Sequence, residues 1–97
     1  MGDRVEVETF VDDDDAFLDW RDDHPDGYIV NADRRPQAGY LVLHRATCPT
    51  MRLPNASLQW TRSYIKICAN EANDLRSWAA ETVDRFHGLS PCGICKP

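Results

Sequence analysis

Ninety-seven residues, 42% apolar and 28% charged, describe one domain of ordinary globular composition, with room for only a modest core. No apolar run approaches the ~18 residues of a membrane span, and the acidic start lacks the basic flank and apolar stretch of a signal peptide, so a cytoplasmic protein is expected. The net charge of −5 argues against a simple nucleic-acid binder, and in a reducing compartment the four cysteines favour metal over disulfides.

In chain order, Val5 and Val7 alternate with Glu6 and Glu8, which suits a short strand or extended arm. Residues 12–15 are four aspartates. Acids crowd the first turn of helices because they complement the positive end of the helix dipole. Ala16, Phe17 and Trp20 then form an i, i+3/i+4 stripe that ends at His24-Pro25-Asp26-Gly27, predicting a helix of about three turns. A calcium loop is the sharper reading of the aspartates, but the EF-hand spacing, with its Gly and distal Glu, is absent.

Tyr28-Ile29-Val30 and Tyr40-Leu41-Val42-Leu43 read as a hairpin whose loop spans residues 31–39. Alternation in the second strand puts Tyr40, Val42 and His44 on one face and Leu41 and Leu43 on the other. Residues 50–59 read as a surface loop; the Asn55-Ala56-Ser57 sequon within it has no meaning without secretion. Residues 64–69 read as a third strand. Leu75, Trp78, Ala79, Thr82, Val83 and Phe86 then recur at helical spacing, predicting a second helix from about Asn73 to Phe86, with Gly88 placed to end it. Each helix should pack its stripe on one face of the sheet. The expected fold is α+β: a small zinc-stabilised single domain, 1–97, with a three-stranded, mainly antiparallel sheet and two helices. Residues 1–26 form an acidic extension and helix, and 27–97 the core.

Two close pairs of ligand-type residues stand out. Cys92 and Cys95 form a C-x-x-C, and His44 and Cys48 form an H-x-x-x-C at the end of a predicted strand. Zn2+ takes four borderline or soft ligands in a tetrahedron, and two close pairs from separate segments satisfy it. His44, Cys48, Cys92 and Cys95 are therefore the candidate structural zinc site. Cys68 can replace His44 in that set; its place in an apolar strand, where a free Cys is usually a small buried hydrophobe, favours His44. A redox dithiol is the competing reading of the C-x-x-C, but such pairs open a helix that lowers the thiol pKa, and only Lys96 and Pro97 follow here. With all four ligands from protein no position is left for an activated water, and no nucleophile–base pair or phosphate loop is visible, so no enzyme is expected.

Tyr28-Ile29-Val30-Asn31, Leu43-His44-Arg45-Ala46-Thr47-Cys48 and Ser90-Pro91-Cys92-Gly93-Ile94-Cys95-Lys96-Pro97 resemble the zinc-binding domain of the Ada methylation-repair family and its nuclease-appended relatives. The likeness covers roughly residues 28–97, and the Pro-Cys-x-x-Cys-Lys-Pro ending is its most specific part. It implies a small sheet with a helix before the C-x-x-C and zinc held by the same four residues. In the repair proteins the position matching His44 is a Cys that accepts a methyl group from DNA, so that activity does not carry over. The segment between Cys48 and Cys92 is longer than in those relatives, and the acidic helix is additional.

Charge supplies the candidate contacts. Residues 1–30 hold eleven acids against two arginines, −9, whereas residues 31–70 hold one acid against six bases, +5. Arg34, Arg35, Arg45, Arg52, Arg62 and Lys66 in the basic segment are the candidate nucleic-acid contacts, through phosphates. The expected function is a non-catalytic zinc module touching DNA, RNA or a nucleic-acid-processing enzyme. The alternative is a protein-interaction module whose acidic helix attracts a basic partner.

Overall fold

Three central strands carry the alternation that organises the molecule. In the computed structural model, which describes residues 6–51, 60–84 and 88–97, β2 (Tyr28–Gln37) is flanked by β3 (Tyr40–Arg45) on one side and β4 (Tyr64–Ala69) on the other, both antiparallel. Two short strands complete the sheet: β1 (Glu8–Phe10) runs antiparallel beside β4, and β5 (Ser90–Pro91) parallel beside β3. The strand order is β1-β4-β2-β3-β5. The fold is α+β, as expected, but with five strands rather than three.

Side chains of successive strand residues point to opposite faces, and each face carries its own core. Val30, Ala32, Leu41, Leu43, Ile65, Ile67 and Ala69 face α2 (Ala72–Thr82), which contributes the fully buried Leu75 and Ala79. Ile29 and Cys68 face α1 (Asp14–Asp23), which contributes Phe17 and Trp20. Ala46, Cys48, Met51 and Cys92 belong to this second core. The metal-type residues are thus continuous with the apolar packing on the α1 side.

The start of α1 shows two uses for the aspartates. Asp13 caps the helix by accepting from the Ala16 N–H at 3.1 Å, the usual N-cap arrangement. Asp14 accepts from the Thr61 backbone N–H (2.8 Å) and hydroxyl (2.7 Å), tying the helix to the approach to β4. The helix stops at His24 because the residue before a proline is sterically pushed out of the α region, and His24 has φ −128°, ψ 63°.

Several sequence-based boundaries need correction. β2 does not stop at Val30 but continues to Gln37, with a register shift between Ala32 and Gln37, and only Ala38 and Gly39 remain as the turn. The pairing of Asp33 with Tyr64 carries the polar part of β2 into the sheet, which apolar patterning does not reveal. β5 is two residues long and has no periodicity to read. α2 ends at Thr82, short of the predicted Phe86, and Phe86 itself lies outside the described residues, as do most of the predicted 50–59 loop and its sequon.

Candidate metal centre

Strand pairing builds this centre. Leu43 pairs with Pro91, and the Cys92 N–H donates to the Leu43 carbonyl at 2.9 Å, so the chain carrying the C-x-x-C is laid beside the end of β3, where His44 stands. After Arg45 the chain turns at once: the Ala46 N–H donates to the Gly27 carbonyl and the Cys48 N–H to the Arg45 carbonyl, both at 2.9 Å. A 3-10 turn over Pro49–Met51 follows. Cys48 is thereby returned to the His44 side, while the Lys96 N–H bonds back to the Cys92 carbonyl at 3.0 Å and closes the C-terminal turn.

The result is that one ligand atom from each of His44, Cys48, Cys92 and Cys95 lies within 4.8 Å of every other. Zn–S bonds of about 2.3 Å at the tetrahedral angle put two sulfurs roughly 3.8 Å apart, and Cys48 Sγ and Cys92 Sγ are 3.9 Å apart. All four cysteines are free thiols. Cys48, Cys92 and His44 are buried, and Cys95 is half-buried. Four protein donors, one nitrogen and three sulfurs, fit a closed tetrahedral metal ion.

Backbone amides already point at the sulfurs. The Arg45 N–H donates to Cys95 Sγ (3.3 Å) and the Ile94 N–H to Cys92 Sγ (3.4 Å). Such bonds favour the thiolate. At Cys92, burial raises the thiol pKa, but the amides of Cys95 and Ile94 and the neighbouring Cys48 outweigh it, and the net effect is a lowered value. Cys95 goes the other way: burial pushes it up to about 11, opposed by the Arg45 amide and reinforced by Cys48. Burial, and then the charge of Lys66, lower the His44 pKa, keeping the imidazole neutral and able to donate a lone pair. The Thr50 hydroxyl lies 3.1 Å from Cys48 Sγ and 3.4 Å from His44 Nδ1. Nothing in the sequence pattern singled out Thr50, whose only signal was its place two residues after Cys48.

Cys68 is not part of the cluster. It is fully buried in the α1-side core, and burial drives its thiol pKa upward, as for an inert apolar Cys. His24 is also a structural residue: its Nδ1–H donates to the Trp20 carbonyl at 2.7 Å and its ring stacks on Trp20 at 4.3 Å.

The five candidate phosphate contacts among the described residues are scattered rather than gathered. Lys66 must be withdrawn: it is 4% exposed, its ammonium donates to Asn31 Oδ1 (2.7 Å) and the Trp60 carbonyl (2.6 Å), and burial lowers its pKa to about 8. Alternation places it on the α1 side between Tyr64 and Cys68, a location that its charge concealed. Arg34 is exposed but engaged, forked onto Asp12 at 2.8 and 2.9 Å and bonded to the Arg62 carbonyl at 2.8 Å. The Arg34 hydrogen bond, opposed by slight burial and aided by the charge of Arg62, lowers the Asp12 pKa. The acidic segment is therefore folded against the basic one at this end of the sheet. Arg35 and Arg62 are exposed there, Arg45 is exposed at the metal end, and Arg52 lies outside the described residues.

No described helix is long and apolar enough to cross a membrane. No protein-family model, no curated protein and no solved structure matches the chain.

Proposed function

We propose that the protein is a non-catalytic module fastened by structural zinc, which presents a basic surface to nucleic acid. The observation that carries the zinc reading is the convergence of His44, Cys48, Cys92 and Cys95 within 4.8 Å. A complete set of protein ligands suits a structural ion, whereas a catalytic one keeps a position for water or substrate. When bound, the ion supplies a cross-link between the end of β3 and the C-terminal segment. The likeness to Ada-like zinc domains at these same residues supports the reading, while His44 in place of a methyl-accepting Cys separates it from repair chemistry. Metal analysis tests it: one zinc per chain is expected, lost in Cys92→Ser. A protein that retains no metal after purification without chelator, and takes up none from added Zn2+, would overturn it.

Nucleic-acid contact is supported by Arg35, Arg45 and Arg62, which remain exposed. Its test is salt-dependent binding of labelled single strand and duplex at low ionic strength; no binding at micromolar protein would sink it. One observation favours a second reading, a protein-interaction surface on α1, because Asp15, Asp19, Asp22 and Asp23 all lie exposed on that helix. A field of this sign attracts basic partners. Loss of a protein complex in an Asp15→Asn, Asp19→Asn double variant, with metal content unchanged, would favour that reading over the first.

A further inference from the structure

The turn between Cys92 and Cys95 presents the most exposed large apolar side chain among the described residues: Ile94 is 64% exposed, next to Gly93, around which a side chain would meet nothing within 4 Å. An isoleucine held out in water by this turn contributes nothing to the core. Two cations sit with it. The Arg45 guanidinium is stationed over the turn, with Nε donating to the Cys95 carbonyl (3.3 Å) and Nη2 reaching the Lys96 carbonyl (3.5 Å). This leaves its remaining N–H donors directed elsewhere. Lys96 is exposed on the same turn.

The segments that form this knuckle carry no acid of their own, as is true of residues 34–70 as a whole. Residues 40–51 and 88–97, which supply all four ligands, contain no Asp or Glu, although the protein has sixteen acids. A dication held by three thiolates and an imidazole leaves −1 at the centre, which Arg45 and Lys96 more than offset. At the other end of the sheet, by contrast, Asp12 already occupies Arg34.

We infer that the metal knuckle, Ile94 flanked by Arg45 and Lys96, is the docking surface for a single-stranded nucleic acid, with phosphates on the two cations and an unstacked base against Ile94. The inference rests on the proposed nucleic-acid contact and locates it at the metal end. A single strand fits better than a duplex because an apolar tip needs a base face, which only an unpaired strand offers freely. The open space at Gly93 lets the strand approach the turn closely.

The test compares zinc-loaded variants of the full chain for binding to a labelled oligothymidylate over a range of salt concentrations. Arg45→Ala with Lys96→Ala should weaken binding by roughly tenfold or more and reduce the slope of log K against log salt by about 1.4, the equivalent of two single-strand phosphate contacts. Ile94→Ser should weaken binding several-fold with the salt slope unchanged. Both keep the ligands and should retain one metal per chain, which is measured in parallel. If oligothymidylate binds but only an Arg35→Ala, Arg62→Ala variant weakens it, the knuckle assignment is overturned and the nucleic-acid reading survives. If the wild-type chain binds neither oligothymidylate nor duplex, both fall. Equal binding of a labelled polyglutamate peptide, or a clear preference for duplex, would also overturn the assignment to a single strand.

Discussion

Ile29 pairs with His44 across one edge of β2 and with Cys68 across the other, so a full strand separates the fourth thiol from the imidazole. Strands lie about 4.8 Å apart, which sets His44 and Cys68 roughly twice that distance from each other on the same face, with the buried Ile29 between them. The ligand atoms that converge are those of His44, Cys48, Cys92 and Cys95, and the Cys68 sulfur is not among them. Cys68→Ala should therefore keep one metal per chain and cost about 1 kcal/mol from the small cavity left. Metal analysis with chemical denaturation checks both; loss of the metal would overturn the ligand set.

Removing the metal should loosen one side of the molecule before the rest. The links from β3 to the C-terminus are the two residues of β5, the Cys92–Leu43 bond, the Arg45 bonds to Cys95 and Lys96, and the proposed ion, whereas the α2-side core draws on β2, β3, β4 and α2. On chelation, amide exchange at Cys92 and Lys96 should accelerate at least tenfold more than exchange at Val30 and Ile67. Uniform acceleration at all four sites would show instead that the ion supports the whole fold.

Metal uptake should release protons at neutral pH. The Cys95 thiol, raised to about 11 in the metal-free site, is protonated at pH 7 to 9 and must ionise to bind, whereas the lowered His44 pKa means the imidazole has no proton to lose. Affinity should thus rise about tenfold or more per pH unit across that range. Calorimetry in buffers of different ionisation enthalpy counts the protons, and a count of zero would contradict this account of Cys95.

Lys66 gives stability a distinct pH dependence. Its pKa is lowered from 10.5 to about 8 by burial, so between those values the unfolded chain binds more protons than the folded one, and stability rises with pH. The cost of the buried charge is fully present below pH 8 and disappears above about 10.5, on the order of 3 kcal/mol in all. Denaturation of the wild type minus that of Lys66→Met should show this rise, whatever offset the unpaired Asn31 and Trp60 carbonyls add. A flat difference would mean that the ammonium is better solvated than its burial indicates.

The sequence by itself determined the two helices, the three central strands and the two pairs of metal-type residues, His44/Cys48 and Cys92/Cys95, because each leaves a local imprint: sulfur and imidazole at ligand spacing, apolar residues at period 3.6 or 2. It also determined that each helix would cover one face of the sheet. Only the tertiary structure decided what local pattern cannot encode. β5 exists because Val42 and Leu43 offer it an edge. Lys66 is interior because the α1 side closes over it, and Asp12 lies on Arg34 because β1 returns beside β4. Cys68 is excluded because Ile29 stands in the way. Contacts between segments distant in sequence depend on register and strand order, and these are set by cooperative burial over the whole chain rather than by any one stretch of it.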